Sequence, residues 1–377
     1  MRGPLLFICL VCAGVARAQG DEPRRPEERL DIGALPMPNY DSNFGFGMGL
    51  NVGLFFRKPG YEPYQHAIRF QVYGATGGYQ EHYVSSDSPN LAGTPYRLIT
   101  RLAYVRDRFR PYYGTGNDTQ VLPVSDPRWG QHYYEIDDSY FQLDLNGQRF
   151  VSGRWKVGLR YALFYGMTRR YSGSLADQNP NAMGDGLEGM VLGEAQYDGR
   201  DAEASPTRGI FASVQVYGSH PFLLSSYTYA GAQGRLAGYW SPFNSPYLVI
   251  AARVMGDWLT SGAPVRHELG LGGDSTVRGV PRERYVGNVR LVGNLELRSR
   301  AARFRPWDHE LDAWIVAFGD VGQIWAEAGQ NGPPWLVHAG YGLGLRLAWE
   351  ADYVVRFDVS YSPDQPLGIF LVFNHPF

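Results

Sequence analysis

Residues 337–349 read Val-His-Ala-Gly-Tyr-Gly-Leu-Gly-Leu-Arg-Leu-Ala-Trp, and this stretch decides the fold class. Every second residue is apolar or aromatic, from Val337 through Leu343 to Trp349, whereas small or polar residues such as Arg346 lie between them. A helix would mix these two sets around its circumference, but a strand places them on opposite faces. The period of two therefore predicts a strand with one apolar and one polar face.

The same alternation continues along most of the chain. It is equally regular at 154–165, 289–298 and 353–361. Less regular strands are predicted at 44–57, 66–76, 79–87, 96–107, 138–150, 188–198, 209–218, 225–240, 246–258, 311–325 and 368–377. Four regular and eleven less regular segments give fifteen strands. Because single-chain bacterial barrels have even strand numbers, we expect about 16.

A soluble β-sandwich also contains alternating strands, but three features favour a membrane barrel. The alternation runs without a domain break, aromatic residues such as Tyr341 and Tyr361 lie at strand ends, and the second face carries charges at mid-strand. In lipid every backbone N–H and C=O must be paired internally, so the sheet must close. We therefore predict an all-β fold: a closed antiparallel transmembrane β-barrel in a bacterial outer membrane.

The N-terminus has the form of a processing signal. An apolar stretch follows Arg2, and Ala16-Arg17-Ala18 has the small-x-small form of a cleavage site, which predicts a signal peptide over residues 1–18. Lipoprotein attachment at Cys9 or Cys12 is disfavoured because bulky residues precede both. Residues 19–43 are rich in Pro, Arg and Glu at their start and are predicted to be a flexible leader. The barrel is predicted to span residues 44–377.

Composition excludes several function classes. The formal net charge of -2 gives no basic surface for nucleic acid, and the mean hydropathy of -0.30 is too polar for a bundle of transmembrane helices. No phosphate-binding loop is present, and no cysteine lies beyond the predicted signal peptide to hold zinc. His220 and His338 are the histidines that a barrel phospholipase could use, but no residue pattern supports that chemistry. We predict no enzymatic activity and no cofactor.

The most distinctive passage is Leu-Gly-Gly-Asp-Ser-Thr-Val-Arg-Gly-Val at 271–280, in a long connection before a regular strand. Glu296 and Asp320 lie on the polar faces of the next two strands, so both carboxylates are expected to point into the lumen. An arginine guanidinium can bridge two such carboxylates through its planar fork.

These pieces, in this order, resemble the BamA/TamA outer-membrane assembly barrels, the bacterial surface antigen family. The resemblance implies a loop folded into the lumen, in which Arg278 and Gly279 are anchored by Glu296 and Asp320. Val280 departs from the family, which has an aromatic residue at that position.

Further stretches resemble the same family, and the resemblance covers about residues 44–377. A strand-turn-strand signature is carried by Asp198, Arg200, Asp201, Pro206 and Gly209. Tyr-Gly-Thr-Gly-Asn-Asp at 113–118 resembles a loop of the shorter members, although simple turn chemistry also accounts for it. The last strand, with Leu371, Phe373 and a final Phe377, resembles the C-terminal signal of outer-membrane barrels, from which His375 and Pro376 depart.

The resemblance implies a protein that helps insert or translocate proteins, or lipids, at the outer membrane. A seam between the last strand and a glycine-rich first strand at 44–57 would open to admit a client strand. The segment before that strand is too short for a POTRA domain, so the expected partners are outer-membrane lipids, client polypeptides or a separate periplasmic protein, and the barrel assembly machinery during biogenesis. Two alternatives remain: a passive pore, and a structural surface barrel or antigen acting through loops 108–135 and 169–186.

Overall fold

The computed structural model describes residues 28–61, 63–123, 125–128, 130, 132–178, 184–203, 205–242, 245, 247–305, 311–326, 335–349, 353–373 and 377. The predicted signal peptide and its cleavage site lie outside these residues. Among them, no helix is long and apolar enough to cross a membrane.

Sixteen antiparallel strands close into one barrel, as predicted. In chain order they are β1 (Arg29–Pro36 with Asn39–Asp41), β2 (Gly45–Arg57), β3 (His66–Ala75), β4 (Tyr79–Ser88), β5 (Tyr96–Pro111), β6 (Glu135–Ser152), β7 (Trp155–Arg170), β8 (Gly186–Asp198), β9 (Gly209–Ser219), β10 (Tyr229–Trp240), β11 (Leu248–Leu259), β12 (Val289–Phe304), β13 (Leu311–Trp325), β14 (His338–Trp349), β15 (Tyr353–Tyr361) and β16 (Gly368–Phe373). Each strand pairs with its chain neighbours, and β16 returns to β1. Short 3₁₀ helices lie at Leu91–Gly93, Ala176–Gln178, Pro221–Leu223 and Val265–His267.

The two faces of the sheet separate as the alternation predicts. On β14, Leu343 and Leu345 are 64% and 53% exposed on the outer face. Arg346, which lies between Leu345 and Leu347 in the sequence, is buried in the lumen. The buried charged residues include Arg278, Glu296 and Asp320. Apolar side chains therefore face lipid, and the polar groups fill the interior.

The connections at the two ends of the barrel differ in length. The connections 112–134, 171–185 and 260–288 lie at one end, whereas β6 and β7 are joined at the other end by residues 153–154 alone. Outer-membrane barrels have short periplasmic turns and longer extracellular loops. The end that carries 260–288 is therefore the extracellular end.

The prediction of a flexible leader over residues 19–43 is wrong for residues 29–41, which form β1. This strand is the one that the sequence pattern missed. It pairs with β2 from Arg29↔Arg57 to Pro36↔Leu50 and resumes at Asn39↔Gly47. Pro36 and Pro38 mask the strand pattern in the sequence, but proline is tolerated at a strand edge. The strand expected at 44–57 is therefore the second of the barrel.

The connection between β11 and β12, residues 260–288, folds into the lumen and is called the lumen loop below. A two-stranded ribbon, Leu269–Leu271 with Tyr285–Gly287, forms its stem. At its tip Val277 and Val280 are fully buried and join the apolar cluster of the interior, together with Leu271 and Ile324. The lumen is thus a packed core on one side.

Candidate functional site

Glycines give the lumen loop the backbone geometry that it needs to approach the wall. Gly272, Gly273 and Gly279 all have positive φ angles, a region that glycine occupies without strain. A Cβ at Gly279 would meet the backbone of Tyr361 at 2.9 Å, so a side chain there would push the loop away from β15. Thr276 holds the bend by donating to the Gly272 carbonyl oxygen and accepting from its N–H, both at 2.8 Å.

Arg278 at the tip of the loop is bound to Asp320 on β13. Its Nε donates to Oδ2 at 2.7 Å and its Nη2 to Oδ1 at 2.9 Å, which is the bidentate geometry of a guanidinium–carboxylate pair. The backbone N–H of Arg278 also donates to Oδ2, at 3.0 Å. The side chain and the backbone of the loop are therefore fixed by the same carboxylate.

The remaining donors of Arg278 meet two more carboxylates. Nη1 donates to Oε1 of Glu296 at 2.6 Å and to Oδ2 of Asp358 at 3.3 Å, and the guanidinium lies 3.6 Å from the centre of the Phe318 ring. Arg278 is 1% exposed, so these ion pairs are shielded from water. Removal of one partner from such a buried group typically costs about 3–5 kcal/mol because the other charge is left unpaired.

A second arginine shares the carboxylates of the first. Arg346 on β14 donates to Asp358 at 2.5 Å and to Glu296 at 3.2 Å. Sequence reasoning did not single out Arg346 or Asp358. Their alternation on the polar faces of β14 and β15 shows that both point inward, but the height at which they meet depends on strand register, which the pattern does not give.

The seam between β1 and β16 is the weakest junction of the wall. Among the described residues, only Tyr40↔Leu371 and Asp41↔Phe370 pair across it, and Ser42 adds three hydrogen bonds to the backbone of Ile369. By comparison, β1 pairs with β2 along its whole length. The barrel is thus closed at the extracellular end of the seam, and β1 from Arg29 to Pro36 has no described partner on that side.

Two prolines keep the seam short. Met37, between the two parts of β1, exchanges both backbone hydrogen bonds with Gly49 of β2, at 2.8 and 3.2 Å. Because hydrogen-bonded pairs alternate in an antiparallel ladder, the even-numbered residues of β1 direct their N–H groups toward β16. Pro36 and Pro38 are two of these positions and have no N–H to donate. Pairing with β16 therefore stops just below Tyr40.

The lumen loop bridges this seam. On one side Ser362, in the β15–β16 turn, donates its hydroxyl to the Gly279 carbonyl oxygen at 2.7 Å. On the other side the Arg282 N–H donates to Oδ1 of Asn43, in the β1–β2 turn, at 2.9 Å, and its guanidinium lies 4.3 Å from the centre of the Phe44 ring. Four consecutive residues of the loop thus tie together the two hairpins that flank the seam.

A second extracellular loop covers the mouth of the lumen. The segment 113–118 leaves β5 and crosses to the ends of β13 and β14, where Nδ2 of Asn117 donates to the Leu336 carbonyl oxygen at 2.7 Å and its Oδ1 lies 3.0 Å from Nε2 of His338. The Gly116 N–H donates to the Val286 carbonyl oxygen of the lumen loop at 2.8 Å. The segment makes contacts across the barrel, beyond those of a local turn.

Glu268 in the lumen loop has a raised pKa. Burial raises the pKa of Glu268 to about 7, an effect that Arg110 opposes and Glu283 reinforces. No group of three or more His, Cys, Asp or Glu residues that could hold a metal ion occurs in the described parts of the chain.

The strand-turn-strand signature lies at the periplasmic end, away from the lumen loop. Asp198 and Arg200 form a bidentate ion pair with distances of 2.9 and 2.7 Å. Asp201 accepts from the Thr207 N–H at 2.9 Å, Pro206 is buried, and Gly209 has a φ of 106° where it approaches the Gly199 carbonyl. These residues order the β8–β9 turn.

The residues of the predicted C-terminal signal divide into two places. Leu371 and Phe373 lie on the outward face of β16. The strand expected to reach residue 377 ends at Phe373, and His375 and Pro376 lie outside the described residues. Phe377 lies inside the barrel against β11 and β12, where its ring is 5.0 Å from the Arg253 guanidinium and 5.6 Å from that of Arg298.

Comparison with known proteins supports one family. The profile of the Omp85 superfamily domain matches residues 45–351. No curated protein matches the chain. Among solved structures, BamA from Haemophilus ducreyi lacking POTRA domains 1–3 is similar with a TM-score of 0.65 and 14% identity, over 92% of this chain and 70% of that one.

Two further solved structures show the same fold. CdiB from Acinetobacter baumannii has a TM-score of 0.54 and 12% identity, over 92% of this chain. CdiB from Escherichia coli has a TM-score of 0.59 and 11% identity, over 93% of this chain. The chain spans 65% and 63% of these two CdiB chains, respectively.

Proposed function

The chain belongs to the Omp85 superfamily of outer-membrane barrels, and from that premise we propose that it helps insert or translocate polypeptides at the outer membrane through the β1–β16 seam. The observation that carries the proposal is the seam itself, where two residue pairs replace a full ladder. An unpaired strand edge is a template for an added strand. A client strand would pair with β1 from Arg29 to Ala34, below the two prolines.

The lumen loop gives the wall the stability that an opening seam requires. The cluster around Arg278 joins β12, β13, β14 and β15 through Glu296, Asp320, Arg346 and Asp358. These strands would stay together as one body while β16 moves away from β1. The role is that of a scaffold and a docking edge, which requires no catalytic group and no cofactor.

The partners follow from the same geometry. Outer-membrane lipids surround the apolar outer face, and unfolded client polypeptides or a separately encoded periplasmic protein would approach the free edge of β1. The barrel assembly machinery would act during biogenesis of this chain. An open seam would also let lipid pass through the wall, so lipid transfer is a variant of the same proposal.

A reversible lock on the seam tests the proposal. In a background with Cys9→Ser and Cys12→Ser, the pair Tyr40→Cys and Leu371→Cys faces each other across the seam, at a spacing that an antiparallel pair makes compatible with a disulfide. The probe is an unfolded eight-stranded outer-membrane barrel added to proteoliposomes. We expect oxidation to stop its insertion and reduction to restore it.

The matched control is the pair Leu143→Cys and Leu163→Cys, which face each other on the fully paired strands β6 and β7. Oxidation of this pair should leave insertion unchanged. Equal insertion by the oxidised seam variant and its reduced form would rule out the seam as the route.

A further inference from the structure

The connection between β9 and β10 folds outward over the lipid-facing wall. Gly189 on β8 lies on the outer face, between the inward-facing Glu188 and Met190. The Leu223 carbonyl group rests on Gly189, where a Cβ would overlap its oxygen. Glycine at this position therefore allows the turn at 220–225 to lie flat against the outside of the barrel.

The turn lies at the level of the apolar band. Tyr161 on β7 donates its hydroxyl to the Leu223 carbonyl oxygen at 2.9 Å, and it faces outward like Leu159 and Tyr165. Tyr165 and then Arg169 follow on the same face toward the extracellular end. This is the order of an aromatic girdle and a polar rim. The contact with Tyr161 thus places the turn below the girdle, beside the hydrocarbon region.

Part of the backbone of the turn is hydrogen-bonded locally. The Leu223 N–H donates to the His220 carbonyl oxygen at 2.8 Å, and the Leu224 N–H to that of Pro221 at 3.1 Å. The Phe222 N–H lies 3.4 Å from Nδ1 of His220, and Pro221 has no N–H. In the bilayer an unpaired backbone group costs several kcal/mol, and these bonds lower that cost for residues 220 to 224.

The side chains that the turn displays are apolar. Phe222 is 77% exposed and Leu224 is 60% exposed, and Leu224 has a φ of 65°, which a leucine seldom adopts. A strained backbone that holds a bulky apolar side chain outward points to a function of that side chain.

We propose that residues 220–225 form a membrane-embedded ledge whose Phe222 and Leu224 side chains insert among the acyl chains of the outer leaflet. The occupant is lipid because the ledge is continuous with the lipid-facing wall and rests on its outward residues. The ledge follows β9, about half of the barrel circumference away from the seam, so it is independent of client insertion. His220 closes the turn with its imidazole and needs no catalytic role.

A depth measurement on single-cysteine variants tests the ledge. In the Cys9→Ser, Cys12→Ser background, Phe222→Cys carries a nitroxide spin label, and collision rates with oxygen and with a water-soluble nickel chelate are compared in phospholipid vesicles. Leu159→Cys, 63% exposed on the outer face of β7, is the lipid reference, and Ser172→Cys, exposed in the extracellular connection, is the water reference. We expect the depth parameter at 222 to match that at 159.

Two results would overturn the ledge. Nickel collisions at 222 as frequent as at 172 would place the turn in water, and protection from both reagents would place it against a protein or a second copy of the chain. A label at Leu224→Cys repeats the measurement should the first variant fail to fold. Gly189→Ala should shift the label at 222 toward the water reference, because the added methyl group lifts the turn off the wall.

Discussion

The Arg278 guanidinium and the Asp320 carboxylate form a bidentate ion pair in the middle of the barrel, with N···O distances of 2.7 and 2.9 Å. Because Glu296 and Asp358 contact the same guanidinium, one side chain joins the lumen loop to three strands of the wall. The wall from β12 to β15, next to β16, is therefore braced from within by charge pairs that water cannot screen.

Arg278→Ala should weaken the barrel without preventing its arrival at the membrane. Loss of Arg278 removes the guanidinium that pairs with the buried Asp320 carboxylate, at a cost of about 3–5 kcal/mol. The temperature at which the heat-modifiable form disappears on gels should fall. Arg149→Ala, at an outward rim position, should change stability by no more than about 0.5 kcal/mol. Equal melting of both variants would contradict the bracing role.

Arg282→Ala should loosen the seam from the extracellular side. The substitution removes the guanidinium from the Phe44 ring and from Asp107, and it leaves the backbone N–H bond to Asn43 in place. We expect hydrogen exchange in β16 to accelerate roughly tenfold, the factor that about 1.4 kcal/mol produces.

Arg284→Ala is the control for that variant, since this neighbouring arginine bonds to Thr119 at 2.7 and 2.6 Å and does not touch the seam. Its β16 amides should exchange at the unmodified rate. Identical exchange in the two variants would show that the Arg282 side chain does not stabilise the seam.

Docking of the lumen loop should weaken as pH rises from about 4.5 to 7. Burial raises the pKa of Glu268 to about 7 from 4.5, so in this window the docked loop binds more protons than the unfolded chain. Stability is therefore higher below the window and lower above it. The partly exposed side chain limits the effect to about 1 kcal/mol.

Limited proteolysis of the loop at pH 5 and pH 8 measures this dependence. Glu268→Gln should remove most of the difference by protecting the loop at pH 8. Glu203→Gln, an exposed carboxylate in the β8–β9 turn, should keep the unmodified pH response. A Glu268→Gln protein with the unmodified pH response would refute the assignment.

The unmodified protein should show no large, steady conductance in planar bilayers. Sixteen strands are enough to enclose an aqueous channel, but the lumen loop fills the interior and the 113–118 segment covers its mouth. Asn117→Ala, which removes the side-chain bonds to Leu336 and His338, should make brief openings more frequent. Asp118→Ala, at an exposed neighbour, should not. A steady open state in the unmodified protein would favour the passive pore instead.

Alternation in the sequence predicts β2 to β16 because each strand separates an apolar outer face from a polar inner face. The bounds differ mostly at strand ends, as at β7, which the pattern ended at 165 and the structure extends to Arg170. β1 escaped detection because Pro36 and Pro38 interrupt its alternation. The same prolines limit its pairing with β16, so the weak signal and the weak seam have one cause.

The candidate site was predictable only in part for a related reason. Parity assigns Glu296 and Asp320 to the lumen, and the resemblance supplies Arg278. Neither places Asp358 or Arg346 at the same height, because that depends on the stagger of neighbouring strands. The Asn43–Arg282 and Asn117–His338 contacts join residues more than 200 positions apart and leave no local pattern.

Photo-crosslinking shows directly whether a client strand binds to the free edge of β1, which is the step that the proposed function requires. A photo-crosslinking amino acid at Ile32, 68% exposed on β1, is compared with one at Leu159, 63% exposed on β7, while an unfolded eight-stranded barrel is inserted. We expect crosslinks between Ile32 and the client and none from Leu159. Equal yields at the two positions, or no product at Ile32 during active insertion, would contradict it.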